Sequence, residues 1–167
     1  MARSTVEQLI ERFGLQPLPV EGTLYVSTHA AEAGTAMIGL YSAEPLSRSY
    51  FHRLTHDEVW HHYDGDPLRL VLLHPDGTSE ERILGKASDG FLPQTVISAG
   101  SWQAGELVDG GDWALFGCTV APGFTPACFE AATAGPLLAV YPDRTTDIVR
   151  LALPDGANTE MPSDLSS

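Results

Sequence analysis

The hydrophobic positions along the chain fall into two textures. Over 4–13 the apolar residues Val6, Leu9, Ile10 and Phe13 recur at helical spacing and form one stripe of a short amphipathic helix. Ser4 is placed to cap it, Glu7 three residues on completes a capping box, and Gly14 supplies the stop. Pro17 and Pro19 then break the pattern. From Gly22 onward, short apolar runs alternate with Gly, Pro and Asp. These runs predict strands at 24–28, 36–41, 51–54, 58–63, 69–74, 81–84, 95–98, 103–108, 113–120 and 137–140. Pro75-Asp76-Gly77-Thr78 and Asp109-Gly110-Gly111-Asp112 read as hairpin turns. Many short strands with no helical pattern between them predict a sandwich or barrel, not alternating strand and helix units. The expected organisation is one mainly β domain over 1–153. It comprises the N-terminal helix, a barrel over about 22–142 and a short C-terminal helix over about 146–151 capped by Thr146, with a frayed polar tail over 154–167.

A chain of 167 residues is long enough to bury a core without staples. Nine Lys+Arg against 22 Asp+Glu give a net charge of −13, which argues against a nucleic-acid partner and against docking on anionic lipid. Cys118 and Cys128 offer neither a disulfide framework nor a zinc pair and read as buried thiols. No apolar run approaches a membrane span, and Glu7 and Glu11 interrupt any signal-peptide pattern, so a reducing cytoplasm is the expectation.

Candidate chemistry concentrates in one place. Four of the 6 histidines (His52, His56, His61 and His62) fall together with Asp57, Glu58 and Trp60. Strand alternation puts Glu58, Trp60 and His62 on one face and Val59, His61 and Tyr63 on the other. Histidine beside a carboxylate suits proton transfer or metal binding near neutral pH. His56 reads as solvated and His61 as outward-facing; His29 and His74, near turns, read as surface residues. Gly105 and Gly117, inside strand patterns, read as bulge markers. The loop at 109–112 lacks the ligand spacing of a calcium site. Neither GxSxG nor a phosphate-cradling loop ahead of a helix is present, which argues against nucleotide hydrolysis.

Glu58, six intervening residues and Gly65 resemble the second half of the first cupin motif, G(X)5HXH(X)3–4E(X)6G, with His52 and Leu54 at the two histidine places. The run Ser98-Ala99-Gly100-Ser101-Trp102-Gln103 resembles the start of the second motif, PXG(X)2H, with Gln103 at the histidine place. More specifically, the stretches at 15–17, 51–54, 57–61, 65–68, 99–104 and 118–124 resemble Cupin_5, a small family of sugar-epimerase-like cupins. That resemblance implies a double-stranded β-helix, or jelly-roll barrel, usually a homodimer, with a small-molecule pocket lined by the motif residues. With strand alternation adding His62 and Trp60 to the motif residues, the expected site has catalytic roles for His52, Glu58 and His62 and substrate contacts from Trp60, Gln103, Tyr41 and Phe124. A metal-binding cupin presents three histidines and a glutamate. Here Leu54 cannot ligate and Gln103 is a poor ligand, so no metal or other cofactor is expected; His52, His56, Glu58 and His62 would be the ligands if one were bound. Leu18 stands where the family carries the histidine of a His-Pro-Glu-Gly-Gly stretch, and Val26 where it carries an arginine, which predicts a less anionic ligand than the relatives take. The leading expectation is a metal-independent isomerase, epimerase or lyase using His/Glu acid–base chemistry on a small sugar-like or biosynthetic-intermediate molecule. The alternatives are a non-catalytic ligand-binding cupin and, third, a metal-dependent oxygenase.

Overall fold

The computed structural model describes residues 4–165. Helix α1 (Thr5–Phe13) opens with the expected capping box: Glu7 N–H donates to Ser4 Oγ at 3.2 Å and Ser4 N–H to Glu7 Oε2 at 2.8 Å. It closes on Gly14, whose φ of 67° is the left-handed conformation that glycine adopts without Cβ strain. Its apolar stripe packs Val6 with Leu15, Leu24, Val26, Leu40 and Leu115.

Among the described residues eleven strands follow: β1 (Gln16–Pro17), β2 (Leu24–Ala31), β3 (Gly34–Ser42), β4 (Ser49–Leu54), β5 (Glu58–Gly65), β6 (Leu68–Leu73), β7 (Ser79–Leu84), β8 (Gln94–Ile97), β9 (Trp102–Leu107), β10 (Trp113–Val120) and β11 (Phe129–Ala131). They form a six-stranded sheet ordered β1-β2-β3-β10-β5-β8 and a five-stranded sheet ordered β11-β4-β9-β6-β7, every pair antiparallel. This is the mainly β jelly roll that the strand pattern and the resemblance predict. The 75–78 turn joins paired strands β6 and β7, with Thr78 N–H donating to Asp76 Oδ1 at 2.9 Å. The 109–112 turn is not a hairpin: it carries the chain from β9 in one sheet to β10 in the other.

Two further expectations are corrected. Residues 137–140 are helical, within α2 (Ala134–Val140). Four apolar residues cannot separate strand from helix by period, and Pro136 sits in the first turn, where its missing N–H costs little. Helix α3 (Thr145–Leu151) starts one residue before the expected cap, so Thr146 lies inside it. Leu137, Tyr141, Ile148 and Leu151 cover the outer face of the five-stranded sheet over Phe51, Val71 and Leu73. That cover explains why β6 reads as a nearly continuous apolar run. Arg69 on β6 ties α3 down with a two-pronged pair to Asp147 at 2.8 and 3.1 Å.

The segment expected as a frayed tail lies along the barrel as far as Leu165: Ala131 N–H donates to the Thr159 carbonyl at 2.9 Å and Met161 is buried against Leu18 and Phe129. Residues 166–167 of that segment, and residues 1–3 of the expected domain, lie outside the described residues. No helix among the described residues is long and apolar enough to cross a membrane.

Candidate functional site

The facing sheets enclose two unlike regions. One is filled by Tyr41, Trp60, Leu68, Leu70 and Phe116, all buried. The other is hollow: a cavity of about 60 Å³ bordered by Leu18, Leu54, Val120, Phe124 and Phe129. Into this mostly apolar space two carboxyls and an imidazole come from three parts of the fold, Glu21 from the loop between β1 and β2, His52 from β4 and Glu58 from the start of β5.

Glu58 faces inward because β5 alternates: it is paired with Val120, and Trp60 with Cys118, so all four share the interior face. Its Oε2 accepts from Gln103 Nε2 at 2.6 Å and from Trp60 Nε1 at 3.2 Å. Trp60 Nε1 also donates to Gln103 Oε1 at 2.9 Å. Both ends of the Gln103 carboxamide are thereby committed to holding Glu58 and Trp60. Burial raises the Glu58 carboxyl above the ordinary value; His52 nearby pulls it back and Glu21 adds to the rise. The Cys118 thiol, also bordering the cavity, is pushed well up by burial and then by Glu58, so it is an inert thiol rather than a nucleophile.

His52 reaches the interior through an irregularity. Ser49 is opposite Gly105 and His52 opposite Gln103, so β4 spends one more residue than β9 between these pairs. The bulge brings both Ser49 and His52 inward, although their spacing of three would put them on opposite faces of a regular strand. His52 is 2% exposed, stacks on Phe129 at 5.3 Å and 17°, and sets Nδ1 at 2.8 Å from the Tyr50 carbonyl. In the neutral ring that contact makes Nδ1 the donor and leaves Nε2 as the acceptor. Nε2 has no hydrogen-bond partner among the described residues; Glu21 Oε2 lies 3.9 Å from it.

Glu21 was not among the residues expected from sequence. It is 7% exposed and held by a chain of hydroxyls: Oε1 accepts from Thr23 Oγ1 at 2.8 Å and from Ser49 Oγ at 2.9 Å, and Tyr41 OH lies 2.6 Å from Ser49 Oγ. The turn that aims it inward has Val20 at φ 66° and Gly22 at φ 92°. A β-branched residue there is strained by about 1–3 kcal/mol, the kind of cost the surrounding fold must offset.

The structure brings together His52, Glu58 and Phe124 at the cavity, with Gln103 and Trp60 directly behind Glu58. Trp60 is core, stacked on Phe116 at 4.9 Å, and is not a wall for a substrate ring. Tyr41 likewise lies behind the cavity, acting through Ser49 on Glu21. His62 is not at the cavity: its Nε2 lies 2.9 Å from the Asp66 carbonyl, further along β5. His56 sits in the turn before Glu58, also outside. His61 faces outward, against Tyr63 and Thr119 Oγ1. His74 is partnered rather than free on the surface, with Nε2 3.0 Å from Glu80 Oε1. Gly105 does sit at an irregularity, opposite Ser49 at the β4 bulge, and leaves room for the Tyr41 hydroxyl; Gly117 lies next to the irregularity at Leu115/Phe116 and leaves room for the Tyr63 ring. Leu18 borders the cavity, but Val26 points to the opposite face of β2 and packs under α1; its neighbours Tyr25 and Ser27 face the cavity instead. An arginine at 26 would therefore not have reached this site.

The donors do not match a four-ligand cupin metal site. Leu54 contributes hydrocarbon, Gln103 is already committed, and His56 and His62 lie elsewhere. Among the described residues no three His, Cys, Asp or Glu side chains are grouped to hold an ion.

This fold and pocket are those of a cupin. The chain belongs to the Cupin_5 family (DUF985) of the cupin superfamily, whose model matches residues 7–132, from within α1 to just past β11. Among solved structures it is similar to a protein from Shewanella oneidensis (28% identity, TM-score 0.81, covering 92% of this chain and 100% of that one). It is also similar to a hypothetical protein from Leishmania major (29% identity, TM-score 0.77, covering 89% and 99%). A mutant oxalate decarboxylase from Bacillus subtilis shares the fold at 10% identity and TM-score 0.51, over 65% of this chain and 28% of that one. No curated protein matches.

Proposed function

We propose that the protein is a metal-independent acid–base catalyst, an isomerase, epimerase or lyase, acting on a small polar molecule. One observation carries the reading: an acceptor nitrogen of His52 and a carboxyl of raised pKa at Glu58 border the same small, largely apolar cavity. Neutral His52 takes a proton from carbon at Nε2, and Glu58, protonated, gives one to the developing oxyanion or the leaving group. Glu21 Oε2, 3.9 Å away, stabilises the imidazolium that forms. Gln103 and Trp60 keep the Glu58 carboxyl in place by binding one oxygen only.

Solvent-deuterium exchange tests it. The protein is incubated in D2O with a panel of aldoses, ketoses, amino sugars and hydroxy ketones, and NMR follows label entering next to the carbonyl. At least one compound should exchange, and Glu58→Gln should slow that exchange by about 10²–10⁴-fold. Panel members that shift the protein's spectrum yet never exchange would overturn the catalytic reading in favour of a binding cupin.

A further inference from the structure

We infer that the cavity takes a small ligand presenting a cationic nitrogen, of the primary-ammonium class, and carrying no anionic group where it meets the protein. The inference names the substrate class of the site proposed above; it rests on that reading for turnover, though not for binding.

Three features converge. First, the buried acidic and imidazole groups at the cavity leave acceptors over; the hydroxyls of Tyr25, Ser27 and Thr35, which also border it, can donate or accept. Glu21 Oε2 accepts no hydrogen bond from the described residues, Glu58 binds Gln103 and Trp60 through Oε2 with the Cys118 thiol also beside its carboxyl, and His52, whose Nδ1 is engaged by the Tyr50 carbonyl, offers Nε2. Glu21 and Glu58 are 7% exposed and His52 is 2% exposed, so water cannot solvate these groups as it would at the surface. Second, no Lys or Arg among the described residues borders the cavity. A carboxylate or phosphate entering it would meet two acidic side chains and no fixed cation, whereas an ammonium supplies donors and a compensating charge. Third, the walls include the rings of Tyr25, Phe124 and Phe129, whose faces attract a cation as well as hydrocarbon. A volume of about 60 Å³ admits an ammonium head and a short carbon stub, so only one end of a sugar would enter it.

The test is a ligand series on one skeleton. The full-length protein is titrated with propylamine, 1-propanol and propionate, with binding read from amide chemical shifts of residues around the cavity. Propylamine should saturate at a Kd at least tenfold below that of propanol, and propionate should produce no saturable shift. Glu21→Gln, which keeps an oxygen for Thr23 and Ser49, should weaken propylamine at least tenfold and leave propanol unchanged. Phe124→Leu, a change that leaves the buried polar groups intact, should weaken propylamine several-fold and propanol less. The inference is overturned if propionate or propanol binds as well as propylamine, or if none of the three binds. Propylamine binding without deuterium exchange in any compound of the panel would sink the acid–base reading and leave this one standing. Exchange confined to substrates without a cationic group would do the reverse.

Discussion

The filled and hollow parts of the barrel interior are built by the same strands with different residue choices. On β10, Phe116 stacks on Trp60, while two and four residues on Cys118 and Val120 border the cavity. On β5, Trp60 belongs to the filled part and Glu58, two residues earlier, to the hollow one. In the filled part large rings interlock at centroid distances of 4.5 and 4.9 Å, and their only polar atoms, Tyr41 OH and Trp60 Nε1, point toward the hollow part and are hydrogen-bonded there. The hollow part holds charge that is only partly satisfied. The packed part thus acts as a platform: its two polar handles fix Glu58 directly and Glu21 through Ser49, while Glu21 Oε2, the Glu58 carboxyl and His52 Nε2 remain turned to a ligand. Rigid packing behind a site and unmet hydrogen-bonding capacity within it are two aspects of one arrangement.

The comparison breaks first on size. Leu70, fully buried in the filled part, has neighbours that cannot move into a void, so Leu70→Ala should cost toward the top of the roughly 2–5 kcal/mol range for such changes. Leu54, 4% exposed at the cavity, is already beside empty space, and Leu54→Ala should cost near the bottom of that range, about 2 kcal/mol. Urea unfolding of the two variants side by side measures the difference; equal costs would mean that the cavity is collapsed in solution.

The coupling between the two parts is the next effect in size. Tyr41→Phe keeps the ring in its packing and removes only the hydroxyl that meets Ser49. A loss of about 1 kcal/mol is expected, the ordinary worth of one buried hydrogen bond. If the platform view is right, the same variant should also shift the amide signals of Glu21 and Thr23, which it does not touch. Signals changed only around residue 41 would show that the hydroxyl chain transmits nothing.

The filled part was far more legible in the sequence than the hollow one. Alternation placed Glu58 and Trp60 on one face, and the capping signals around Ser4 and Gly14 fixed α1, because both depend on neighbours close in the chain. His52 and Glu58 were found through the motif spacing. Glu21 escaped because it lies in a short loop, where periodicity says nothing and direction is set by the backbone at Val20 and Gly22. Ser49 escaped because a bulge in β4 overrides alternation, and a bulge depends on the partner strand. His62 was overrated for the opposite reason: it does share the interior side with its partner Phe116, but it lies too far along β5 to reach the cavity.

The smallest expected effect concerns Glu58 and stability. Burial raises its carboxyl above the ordinary value of 4.5 in the folded protein, with His52 opposing and Glu21 reinforcing the rise. The unfolded chain releases that proton at the ordinary value, so folding holds it more tightly. The resulting contribution is fully present below the ordinary value and is lost as pH rises through the folded one. Glu58→Gln cannot ionise and keeps an oxygen for Trp60 or Gln103. Near neutral pH it should therefore unfold within about 1 kcal/mol of the wild type, and it should be the equal or the better of the two. On acidification toward about pH 4 the wild type should gain on the variant. Glu21, His52, Tyr25 and Cys118 face the same space and are common to both proteins, so the difference between their stability–pH curves reports chiefly on Glu58. A variant several kcal/mol less stable at every pH would instead make Glu58 a structural keystone of the Trp60–Gln103 cluster. The hollow part would then be an extension of the packed core rather than a site set apart from it.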